Sequence, residues 1–143
     1  MLHDPRARAE ISERVQSLRP ENPRRWGRMS VDQMVWHLNQ ALLQSLGQLQ
    51  AAPRPVPLRF LVKPIVFNLP WPRGAPTFPE FVAVSAHDFG HERARCLRLV
   101  DDVAGRELHA PWVTHMAFGP LSGEEWSRLL YKHMDHHLRQ FSA

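Results

Sequence analysis

Between Pro53 and Pro79 the chain carries eight prolines, in "PRPVPLRFLVKPIVFNLPWPRGAPTFP". Proline fixes φ and has no backbone N–H, so no long helix or strand can run through that density. The segment predicts a short helix near Leu58 to Asn68, then an irregular but ordered connection. It should be ordered because Phe60, Phe67, Trp71 and Phe78 give it apolar surface to bury. Long regular elements must therefore come from the stretches on either side.

Both flanks read as helical. A first helix is expected over Asp4 to Leu18, with Pro5 in its first turn and Ile11, Val15 and Leu18 on one face; "RPENPRR" breaks it. A second starts at the capping box Ser30-Val31-Asp32-Gln33. It carries Val31, Met34, Val35, Leu38, Leu42 and Leu46 at helical spacing, and Gly47 suits its end. Beyond the prolines, Ser85-Ala86-His87-Asp88 predicts another start, with Phe89, Cys96, Val100 and Val103 on one stripe and Gly105 at the close. "RELHAPWVTHMAFGP" reads as a loop. The last helix begins at Ser122, whose partner Glu125 completes a second capping box, and runs to about Gln140. Strand-period alternation is weak throughout. The expected fold is all-α: a four-helix bundle in one domain, residues 1–143, with a long proline-rich connection after the second helix.

The formal charge of +4 and a pI near 10.2 come largely from scattered arginines, among them Arg6, Arg8, Arg14, Arg19, Arg24, Arg25 and Arg28. No basic run is interleaved with aromatics, so a solvated basic surface is expected rather than a nucleic-acid partner. The N-terminus has charges at once and no apolar core of a signal peptide. The most apolar stretch is interrupted by Arg59, Lys63 and Pro64, which argues against a membrane span. Cys96 stands alone, so no internal disulfide forms, as suits a reducing cytoplasm.

The chemistry is concentrated in "YKHMDHHLRQF", Tyr131 to Phe141. With about 100° per residue from Trp126, the side chains of Leu129, Leu130, His133, His137, Gln140 and Phe141 share the inward face. His136 falls at its edge and Asp135 points away. His133 and His137 stand one turn apart, so both rings can converge on one point. A helix presents two nitrogen ligands to a transition metal in this way. His37, flanking the apolar stripe of the second helix in "QMVWHLNQ", is the candidate third ligand. Three histidines leave coordination positions open, as a catalytic site does. The competing reading is that the imidazoles are hydrogen-bonded core groups. Di-iron carboxylate chemistry is disfavoured, because no Glu-x-x-His pair occurs.

Three segments carry a likeness to a known family: "WGRMSVDQMVWHLNQALLQSLG" (Trp26 to Gly47), "LPWPRGAPTFPEF" (Leu69 to Phe81) and "HMAFGPLSGEEWSRLLYKHMDHHLRQF" (His115 to Phe141). They resemble the DinB-like superfamily of bacterial metal-binding four-helix bundles, in a branch of unknown function. Met116 departs from that branch, which usually has proline there. The resemblance implies an up-down-down-up bundle, a divalent metal on His37, His133 and His137, and a homodimer. Some relatives are thiol-dependent transferases or isomerases, which implies a low-molecular-weight thiol as a further cofactor.

A metal-dependent transferase or hydrolase acting on a small molecule is therefore the leading expectation, and a non-enzymatic metal- or ligand-binding stress-response protein is the alternative. Zinc, nickel, iron and manganese all suit three imidazoles. His115, His136, Asp32 and Asn39 are candidates for supporting roles. Arg73, in "PRGAPT", is a candidate for meeting an anionic substrate, against a plain turn. Trp36 and Trp126 are expected in the core, and Cys96 as inert packing.

Overall fold

The computed structural model of the chain describes residues 1–54, 56–74 and 78–143, the side chains of Arg59 and Glu80 excepted. Among these residues there are five helices: α1 (Pro5–Ser17), α2 (Val31–Ser45), α3 (Arg59–Asn68), α4 (Phe89–Gly105) and α5 (Gly123–Gln140). A 3₁₀ turn spans Pro79–Phe81. Among the described residues there is no strand, and one isolated antiparallel bridge joins His115 to Gly119. The all-helical class and the short helix within the proline-rich segment are as the sequence led us to expect. Ala75, Pro76 and Thr77 of "PRGAPT" lie outside the described residues.

Side chains set the helix starts by satisfying backbone N–H groups that have no partner within the helix. Asp4 accepts from Ala7 N at 2.8 Å, with Pro5 at the first helical position. At α5 the capping box is reciprocal: Ser122 Oγ accepts from Glu125 N, and Glu125 Oε2 accepts from Ser122 N. At α2, Gln33 Oε1 accepts from Ser30 N at 3.1 Å. The start of α4 differs from expectation. Asp88, not Ser85, is the cap, and it accepts from His91 N at 2.7 Å. The reason is tertiary: His87 N donates to Asp32 Oδ2 and Ser85 O accepts from Gln33 Nε2, which ties residues 85–87 to the first turn of α2 and keeps them out of the helix.

Each of α1 and α2 packs against both α4 and α5. Ile11, Val15, Met34, Leu42, Val100 and Leu130 are among the residues sealed in the shared core. Across the rim Arg14 of α1 pairs with Asp135 of α5 at 2.9 Å, so Asp135 does point away from the histidines. Gly123 opens α5 without a side chain for a steric reason. A Cβ there would lie 2.2 Å from Leu108 O and 2.4 Å from Trp112 Nε1. Only glycine lets the loop after α4 lie against this helix start.

Two apolar expectations are corrected. Phe60 is 69% exposed: it stands in the first turn of α3, while the residues of this helix that pack against the core, Val66 and Phe67, are in its last turn. Trp36 is only partly buried and stacks on the His87 ring at 5.0 Å, outside the core that Trp126 occupies. His37 flanks the inward stripe, and Trp36, one residue earlier, stands about 100° further round the helix, away from it.

Candidate metal centre

Helix α2 contributes His37, and α5 contributes His133 and His137 from successive turns. The three rings form an equilateral triangle: every pair of centroids is 4.8 Å apart, with planes crossing at 89°, 71° and 69°. One nitrogen from each ring falls within 4.8 Å of the other two. His37 and His137 are buried and His133 is partly buried, so the triangle has one more open corner.

Two of the three outer nitrogens are committed. His37 Nδ1 lies 2.8 Å from the carbonyl oxygen of Phe81, which accepts only, so Nδ1 carries the proton. Phe81 is itself buried with Met116 and Ala117, and the 3₁₀ turn at the end of the proline-rich segment thus supplies the carbonyl that orients a site histidine. His137 Nδ1 lies 3.0 Å from Gln140 Oε1, and Gln140 Nε2 donates to Trp26 O at 2.6 Å. That donation turns the Gln140 oxygen toward His137, so this Nδ1 is protonated too. Gly27, at φ +83°, makes room, since a Cβ there would fall 2.3 Å from Gln140 Nε2. Both rings are left with lone pairs on Nε2. His133 Nε2 lies 2.8 Å from His37 Nε2 and must donate to it in the metal-free protein. A cation bound between the rings would replace that proton.

The three groups are held neutral. Burial lowers the pKa of His37 against the opposing pull of the Phe81 carbonyl. Burial, then the neighbouring His37 and His137, pushes His133 well below 6.5. His137 is pushed down to about 3, by burial first and His37 second. Neutral imidazole is the ligating form. Metal–nitrogen bonds of about 2.1 Å at tetrahedral to octahedral angles would set ring centroids roughly 4.6–5.3 Å apart. The observed triangle lies in that range, so three histidines close together can bind a metal here.

Other nominated residues sort differently. His136 lies beside the triangle, its ring 5.2 Å from His137, between the indoles of Trp26 and Trp71. Trp71 also faces His133 at 5.6 Å. Asn39 turns to α4, where its Nδ2 donates to Glu92 Oε2 and O, so it does not orient His37. Asp32 serves the helix starts. Cys96 is sealed in the core, and burial with the nearby Glu92 pushes its thiol up to about 12, which makes it inert. Trp126 is core, donating to Val113 O at 2.9 Å.

A family profile described as "Protein of unknown function (DUF1569)" matches residues 5–143. The chain belongs to this family. No curated protein and no solved structure matches it. Four neighbours of the histidine triangle went unassigned in the sequence: the Phe81 carbonyl, Gln140 as the partner of His137, and the Trp26 and Trp71 rings. Only Gln140 left a signal, three residues after His137 on the inward stripe. The others arrive from distant segments.

His115 is a loop staple. Its Nδ1 accepts from Ala117 N and Phe118 N, within the turn closed by the His115–Gly119 bridge. Burial pushes its pKa down to about 4. The unfolded value is 6.5, so its contribution to stability is complete above pH 6.5 and is lost as pH falls toward 4. Urea melts of metal-free protein should show a loss of about 2 kcal/mol from this residue between pH 6.5 and 5. In His115→Asn, which keeps a polar group but does not titrate, that part of the slope should vanish.

Proposed function

We propose that this DUF1569 chain is a DinB-like bundle of α1, α2, α4 and α5 in up-down-down-up order. It holds one divalent transition metal (zinc, nickel, iron or manganese) on His37, His133 and His137. The metal serves a transferase or hydrolase reaction on a small molecule, with a low-molecular-weight thiol as co-substrate in the transferase case. The observation that carries this reading is the equilateral triangle with two Nδ1 atoms already tied to carbonyl-type acceptors. Such outer partners fix the tautomer and aim the ligating nitrogen. The packing of α1 and α2 each against both α4 and α5 supports the bundle. Bound there, the metal would supply Lewis acidity, lowering the pKa of a water or a thiol. The chain's part is to hold three neutral nitrogens rigidly, and to keep Trp71 against His133 at the more open corner, where a substrate would enter, with His136 beside His137 and Trp26 facing His136. The homodimer implied by the resemblance belongs to the same proposal; the apolar outer side of α3, with Phe60, Leu61 and Ile65 exposed, supports it. No helix among the described residues is long and apolar enough to cross a membrane.

Plasma mass spectrometry of untagged protein tests the metal, with cobalt(II) titration followed by visible absorption. About one metal per chain and a saturable cobalt spectrum are expected. No uptake after reconstitution would leave the histidines as core hydrogen-bonders. Gln140→Ala should keep all three ligands but free His137 to rotate, lowering cobalt affinity about 10- to 100-fold.

A further inference from the structure

Trp26, which faces His136 next to the triangle, also lines a cleft of about 320 Å³ with Arg25, Arg73, Arg139, Ser142 and Ala143. The three guanidiniums of the cleft differ in how far they are already engaged. Arg139 is forked onto Asp135, through Nε at 3.0 Å and a terminal nitrogen at 3.0 Å. Asp135 is shared with Arg14, which also donates to the main-chain oxygen of Ala143, so the Asp135 carboxylate is engaged by two guanidiniums already. Arg25 is anchored by its backbone N–H to Gln140 O and by Nε to Ser142 Oγ, which leaves both terminal amino groups without a described acceptor. Arg73 has no ion pair among the described residues, and its guanidinium lies 4.9 Å from the centre of the Trp26 ring. Stacking holds the plane of a guanidinium while leaving its edge N–H groups free to donate.

We propose that this cleft is the seat for an oxyanion, a carboxylate or a phosphate, on the small molecule whose other end reaches the three-histidine centre. The placement deepens the metal reading and rests on it for the position of the reacting end. Arg25 and Arg73 are both exposed and are held in one cleft by a serine and an indole instead of carboxylates, so their free N–H groups face water that an oxyanion can displace. The seat and the metal centre also share parts. The Trp26 ring carries Arg73 and faces His136, while its carbonyl sets Gln140 and through it His137. A forked oxyanion matches the in-plane donors of arginine.

The test titrates inorganic phosphate and acetate into metal-free protein at constant ionic strength, read by calorimetry and by the Trp26 indole N–H resonance. Saturable binding is expected, weakened about tenfold or more in Arg73→Gln and in Arg25→Gln. It should be unchanged within twofold in His133→Ala, because the seat does not use the imidazoles. Preference for one anion names the oxyanion. Absence of saturable binding by both anions, or binding undiminished in both arginine variants, overturns the seat. Loss in His133→Ala alone does so as well, since the anion would then lie on the histidines. Anion binding with no metal uptake in the cobalt titration would sink the metal reading and keep the seat.

Discussion

His133→Ala should fold with full helical content and fail to retain metal through desalting. His133 is one of the three histidines that together could hold a metal, and the one at the more open corner of the triangle. Structural zinc sites bind with about 10–16 kcal/mol, so the loss of one ligand is worth on the order of 3–4 kcal/mol, or two to three orders of magnitude in affinity. The metal-free fold should be nearly indifferent. His133 makes one described side-chain hydrogen bond, to His37 Nε2, and that acceptor can turn to water once the ring is gone. Metal-free melting temperatures within a few degrees of wild type, beside cobalt affinity reduced at least a hundredfold, are the expected pair of results. Cobalt binding unaltered in His133→Ala would remove the centre. His37→Ala should lose metal equally but cost more stability, because the buried Phe81 carbonyl loses its donor.

Trp126→Ala should be the most damaging change in the core, at about 3–5 kcal/mol. The indole is 1% exposed and its Nε1 donates to Val113 O, so truncation leaves both a large cavity and a carbonyl without its donor. The His115 ring packs 5.0 Å from it, so the staple after α4 would loosen as well. For a chain of this size the melting midpoint should drop by roughly 10–15 °C, read by circular dichroism on metal-free protein. Trp126→Phe should recover most of the loss. A change below about 1 kcal/mol in Trp126→Ala would mean that α5 is not anchored where the histidines need it.

The opposite outcomes for Trp126 and Trp36 show where sequence patterning stops. Both are tryptophans near proposed ligands, and the stripe on α5 placed Trp126 correctly at the centre of a broad buried face. Met134 and Leu138 are buried there too, beyond the narrow stripe, because α5 meets both α1 and α2. Trp36 is the same residue type turned to the side, where the segment before α4 happens to bring His87 beneath it. Likewise, Ser85 and Asp88 both carry cap chemistry, and only the contacts of α2 with residues 85–87 chose Asp88.

What the sequence determined by itself was local. Capping boxes, proline density and the 3.6-residue period depend on neighbours within a turn or two, so helix positions and the pairing of His133 with His137 could be read from the residues. His37 could be named as a third ligand, but its distance from the pair could not. The tertiary structure alone decided that the three rings stand 4.8 Å apart, that the carbonyl of Phe81 and the amide of Gln140 hold their tautomers, and that Trp26 links Arg73 to the centre. Hydrogen bonds and ring contacts between residues 44 to 114 positions apart leave no periodic trace, because nothing in the chain between them is shaped by the contact.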